Sequence, residues 1–118
     1  MPFAIIENAP IYPGCEGLSK AAQKKCLSSQ ITKLVNKKFN VDLAADLGLT
    51  PGRKRIFVMF KIDRTGKVVN IRSRAPHKRL EKEAIRVIKL IPKMIPGKQR
   101  GRAVGVKYSL PIVFNVQD

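Results

Sequence analysis

Apolar and polar residues alternate most clearly between Lys54 and Ala75. Ile56, Val58, Phe60 and Ile62 fall on one face of an extended run, the period-two signature of a half-buried strand. Phe57 and Met59 add apolar surface to the opposite face, which predicts a central rather than an edge strand. Asp63-Arg64-Thr65-Gly66 follows as a turn, with Gly66 able to take a positive φ and Asp63 able to bond its own backbone. In the returning run, Val68 and Ile71 are three apart, which predicts a bulge near Val69-Asn70.

A different period flanks this hairpin. Leu27, Ile31, Leu34, Val35 and Phe39 recur as the buried stripe of a helix that Ser19 caps and that stops near Asn40. Lys24, Lys25, Lys33, Lys37 and Lys38 fall mainly off that stripe. Asp42 to Leu47 is read as one more helical turn before the Thr50-Pro51-Gly52 break. Leu80, Ala84, Val87, Ile88 and Ile91 form the stripe of a second helix, from about Arg79 to Ile91, that Pro92 ends. Its acids, Glu81 and Glu83, come early, and Arg86 and Lys89 come late, the order that suits the helix dipole. A basic, glycine-punctuated loop spans Pro96 to Arg102. The last run, Val104 to Val116, reads as a strand, and Pro111 within it predicts an edge or a bulge.

The resulting fold class is α+β: two helices packed on one face of a small, mainly antiparallel three-stranded sheet. Phe60, Ile62, Ile31, Leu34, Val87 and Ile88 should share one core. Residues 1–17 carry Pro10, Pro13, Gly14 and Gly17 and read as an extended N-terminal segment, with a short strand at Phe3-Ile6. Residues 18–118 then form a single domain, a size that supports one modest core. No apolar run is long enough for a membrane helix, and no secretory leader is recognisable.

Charge changes the picture more than composition does. The net charge is +16, and from Arg53 to Lys107 there are 18 basic residues against three acidic ones. Such a field favours polyanions, though a solvated surface that keeps the domain soluble accounts for it equally well. A nucleic-acid binder would interleave its cations with exposed aromatics, and Phe57 is the one hairpin aromatic expected off the core face. Catalytic chemistry is poorly supported. His77 is the lone histidine and stands beside Pro76 at a strand-to-helix turn. Glu81 and Glu83 point apart on a helix, and the Pro96-Gly97-Lys98 loop lacks the phosphate-loop spacing. Neither a nucleophile motif nor a metal-ligand cluster is present, so no cofactor or metal is expected. Cys15 and Cys26 stand 11 apart; spacing alone fits two buried thiols or one disulfide.

Four stretches in order resemble the C-terminal domain of TonB energy transducers: Pro10-Ile11-Tyr12-Pro13-Gly14-Cys15-Glu16; Phe60 to Val68 with Ile71 and Ser73; Leu80 to Ala84 leading to Pro96-Gly97-Lys98; and Val106 to Phe114 with its internal proline. Met94 stands where the family often has an aromatic, and Ala9-Pro10-Ile11 replaces the glutamine that precedes Tyr-Pro in enteric members. The opening segment and the long insert before the hairpin are similar to the Bacteroidetes-like subtype.

The resemblance implies a periplasmic domain whose parent is anchored in the inner membrane and works with ExbB and ExbD. It implies capture of the TonB box of outer-membrane transporters by strand addition. The last strand would then supply the edge through Val106, Lys107, Tyr108, Ser109, Leu110, Ile112, Val113 and Phe114. Tyr12 and Pro13 would flank it, and Arg100 and Arg102 would attract an acidic peptide. A periplasmic setting also implies a Cys15–Cys26 disulfide. The alternative is a TonB-like interaction module of a membrane sensor or peptidase; a nucleic-acid-binding domain is the outsider. The sequence leaves homodimerisation open.

Overall fold

The computed structural model describes residues 1–43 and 47–116. The helical turn expected from Asp42 to Leu47 lies partly outside the described residues. Helix α1 spans Lys20–Lys38, strands β1 and β2 span Gly52–Ile62 and Val68–Arg74, and helix α2 spans Lys78–Ile88. Two-residue strands β3 (Lys98–Gln99) and β4 (Arg102–Ala103) precede strand β5, Val106–Val116. The main sheet has the order β2-β1-β5, antiparallel throughout.

The hydrophobic pattern accounts for most of this. Ile56, Val58, Phe60 and Ile62 of β1 are buried and meet Leu27, Ile31, Val35 and Phe39 of the first helix and Leu80, Ala84, Val87 and Ile88 of the second. Leu34 packs at the margin of the same core. Both helices therefore lie on one face of the sheet. Ser19 caps α1 by accepting the Ala22 N–H at 3.2 Å. The bulge also stands where the spacing puts it: Met59 pairs with Arg72 but Lys61 pairs with Val69, and Asn70 takes a φ of 54°.

Three features depart from the pattern. β1 is central because both its edges are paired, not because both faces are covered; Phe57 and Met59 are 56% and 55% exposed. Phe3–Ile5 forms a short 3-10 turn rather than a strand. The basic loop after Pro96 folds into the β3–β4 hairpin, whose two-residue turn puts Arg100 and Gly101 at φ values of 52° and 75°.

The N-terminal segment lies on the folded body. The Asn8 and Lys98 backbones exchange hydrogen bonds at 3.0 and 2.9 Å, and Ile11 and Ile95 do so at 2.9 and 3.1 Å. Ile6 and Ala9 are buried against Val106. Gly97 permits that approach: a Cβ there would come within 2.7 Å of Val106 Cγ2 and 2.9 Å of Ile6 Cδ1.

Candidate functional site

β5 pairs with β1 along its whole length and, among the described residues, has no strand on its other side in the main sheet. It is the edge that its proline predicts. The hydrogen-bonding direction along β5 can be fixed from one contact. Lys107 N–H donates to Met1 O at 2.8 Å, away from β1. Backbone groups alternate sides along a strand, and the β1–β5 register runs without interruption from Gly52–Val116 to Ile62–Val106. The outward residues are therefore Lys107, Ser109, Pro111, Val113 and Asn115. Pro111 falls on the outward side, where its missing N–H breaks no bond to β1.

The start of this edge is already covered. Pro2 bridges Lys107 in parallel, and Val106 is fully buried. The open part runs from Ser109 to Asn115, about 20 Å of strand. It offers the N–H of Ser109, Val113 and Asn115, and the carbonyls of those residues and Pro111. Asn115 lies beyond the Val106 to Phe114 stretch expected from the sequence, and the alternation fixed by Lys107 is what adds it.

The side chains of β5 divide between two faces. Tyr108, Ile112 and Phe114 are buried toward the helices. Tyr108 Oη donates to Ser28 Oγ at 3.0 Å, its ring meets Phe60 and Phe3, and burial raises its pKa. Phe114 packs against Phe39 at 5.7 Å between centroids. These residues hold the strand on the core rather than presenting side chains outward. Leu110 is half-buried, and Val113 turns to the opposite face, 39% exposed.

Tyr12 and Pro13 begin a turn in which Cys15 N–H donates to Tyr12 O at 2.9 Å and Gly14 takes a φ of 98°. Tyr12 packs against the main core, where burial raises its pKa, and Pro13 is exposed. The Cys15–Cys26 disulfide, with a Cα separation of 6.0 Å, ties the turn to α1. The Ile11–Ile95 bridge ties it to the loop beside the β1–β2 turn. Tyr12 thus lies toward the end of the sheet where β5 begins. Arg100 and Arg102 are exposed on the β3–β4 hairpin that leads into β5.

Other candidate chemistry resolves into structure. His77 caps α2, its Nδ1 accepting the Arg79 N–H at 3.1 Å. Glu83 accepts from Arg86 Nε at 2.7 Å and from the Asn40 N–H at 2.9 Å, while Arg86 Nη2 donates to Lys38 O at 3.0 Å. The pair therefore fastens α2 to the end of α1. Among the described residues no group of three or more His, Cys, Asp or Glu is placed to hold a metal ion. No described helix is long and apolar enough to cross a membrane.

Comparison with known proteins agrees with this architecture. No curated protein and no solved structure matches the chain. The family described as Gram-negative bacterial TonB protein C-terminal matches residues 55–116, more than half of the chain, from β1 through β5. On that match the chain belongs to the TonB C-terminal domain family.

Proposed function

We propose that the domain is the periplasmic, partner-gripping end of a TonB-type energy transducer. It captures the TonB box of an outer-membrane transporter as an added strand on β5. The observation that carries this reading is the open edge from Ser109 to Asn115, with Pro111 on its outward side. An extended peptide gains main-chain hydrogen bonds there without displacing any bond to β1. Several such bonds lie across the strand axis, so a pull along the strand loads them together in shear.

Force received at the edge has a rigid route into the body. β5 is laced to β1 over eleven residue pairs, and the core of both strands is shared with the two helices. The Cys15–Cys26 bond holds α1 at its second turn, and Glu83 and Arg86 hold its C-terminal end through the Asn40 N–H and the Lys38 carbonyl. In the full-length protein an inner-membrane anchor working with ExbB and ExbD would supply the force. Arg100, Arg102 and Lys107 give the approach a positive field that favours an acidic peptide.

Titration with synthetic TonB-box peptides, followed by backbone NMR, tests the reading. Shifts should centre on Ser109 to Asn115, with the Ser109, Val113 and Asn115 amides protected from exchange. Shifts confined to the helices would overturn it.

A further inference from the structure

Among the described residues the sheet face opposite the helices carries no covering layer, and its composition is one-sided. Three strands place residues in rows across it: Arg74–Phe57–Pro111, Arg72–Met59–Ser109 and Val69–Lys61–Lys107. Arg55–Val113 and Arg53–Asn115 continue it toward the start of β1. Phe57, Met59, Pro111 and Val113 thus form an exposed apolar band. Arg72 and Arg74 border it along β2, Lys61 and Lys107 at the turn end, and Arg53 and Arg55 at the other end. The fourth side is the open edge of β5. Among the described residues no carboxylate stands in these rows.

We propose that this face docks on an anionic phospholipid bilayer. It shares Ser109, Pro111, Val113 and Asn115 of β5 with the peptide-binding edge but uses their side chains, whereas the edge uses their outward backbone groups, so neither assignment needs the other. Charge complementarity selects the occupant. A second copy of the chain would set the same cations against themselves. A nucleic-acid strand would need successive aromatic platforms, and Phe57 is the one aromatic in the rows. An apolar band bordered on three sides by arginines and lysines suits a headgroup layer. The band sinks toward the acyl boundary, and the long cationic side chains reach sideways to phosphates. Arg55 already lies over the Phe57 ring, 5.8 Å from its centroid. A cleft of about 780 Å³ opens where the face meets the N-terminal turn. Met59, Lys61, Arg72 and Lys107 line it with Pro2 and Phe3, which gives one headgroup a deeper seat. Docking flat on this face leaves the β5 edge free in the plane of the membrane.

The chain has no tryptophan, so Phe57→Trp gives a single reporter in the band. The protein is floated with vesicles of phosphatidylcholine containing 30% phosphatidylglycerol in 0.15 M salt. The expected result is co-flotation, a blue shift of the new indole and its quenching by shallow brominated lipid. Arg55→Glu/Arg72→Glu/Arg74→Glu should weaken binding about tenfold or more. Lys25→Glu/Lys33→Glu/Lys37→Glu, on the exposed side of α1, changes the net charge equally and should weaken it far less. Circular dichroism confirms folding; where a triple reversal fails, Arg72→Gln/Arg74→Gln is compared with Lys33→Gln/Lys37→Gln. Equal losses from the two sets would reduce the effect to net charge and overturn the proposal. An indole that stays in water on bound vesicles would overturn it too, as would an oligonucleotide or acidic peptide that binds this face while vesicles do not.

Discussion

The Met94 N–H donates to Gly66 O at 3.0 Å, and a Cβ on Gly66 would collide with the carbonyl of Met94. Gly66 also holds a φ of 88°. One residue therefore closes the β1–β2 turn and seats the loop that follows α2. Gly66 is thus required by contact as well as by conformation. Gly66→Ala should destabilise the fold by more than about 2 kcal/mol, because backbone must move on both sides. Urea unfolding checks this; a loss below about 0.5 kcal/mol would mean the loop does not rest on the turn.

Phe60 is 2% exposed and stacks near Tyr108 at 5.3 Å between centroids. Phe60→Ala removes the largest of the fully buried side chains, near the turn end of β1. A cost of about 3–5 kcal/mol is expected in equilibrium unfolding.

The Cys15–Cys26 bond closes a short loop between the Tyr12 turn and α1. Its removal by Cys15→Ala/Cys26→Ala should cost roughly 2–3 kcal/mol. Unfolded, non-reduced protein from an oxidising compartment should show no free thiol in an Ellman titration.

Arg86 holds the Glu83 carboxyl below the ordinary glutamate value, chiefly by hydrogen bonding, with the Asn40 N–H acting in the same direction. The folded value is thus lower than the unfolded one. The stabilisation is complete above the unfolded value and is lost as pH falls through the folded one. Asp63 behaves alike: its Oδ1 accepts from the Thr65 hydroxyl, which lowers its pKa most, and from the Thr65 and Lys67 N–H groups. Glu83→Gln should lower stability at neutral pH by about 1 kcal/mol and flatten the acid limb of a Tm-against-pH curve. The remaining slope should fall further with Asp63→Asn.

The fold was legible wherever burial had a period. Ile56 to Ile62 and the two helix stripes record which face meets the core, and the three-residue step from Val68 to Ile71 records the bulge. Phe57 and Met59 pointed to the central place that β1 takes, yet both are exposed, because an apolar side chain marks affinity for cover, not its presence. The Phe3–Ile5 turn left no signal, since three apolar residues fit a strand or a turn equally. The edge itself was visible through Pro111. Its usable length was not, because the Pro2–Lys107 pairing joins opposite ends of the sequence and has no local pattern. Outward and inward donors could be separated only after one hydrogen bond of Lys107 was known.

That separation gives the edge its sharpest test. Ser109 and Tyr108 are neighbours, but their N–H groups face opposite sides of β5. Tyr108 pairs inward with Phe60, and its hydroxyl reaches Ser28. Tyr108→Pro would remove a ladder bond and a buried ring together, at more than about 3 kcal/mol, and the domain should unfold. Ser109 is exposed, and its N–H points to the open edge. Ser109→Pro should change stability by about 1 kcal/mol or less. It removes the first free donor of the edge, so affinity for a TonB-box peptide should fall about five- to tenfold, the worth of one hydrogen bond. Asn115→Pro, at the far end of the same row, should act in the same direction. A folded Ser109→Pro domain that binds the peptide with unchanged affinity would show that the added strand does not lie along β5.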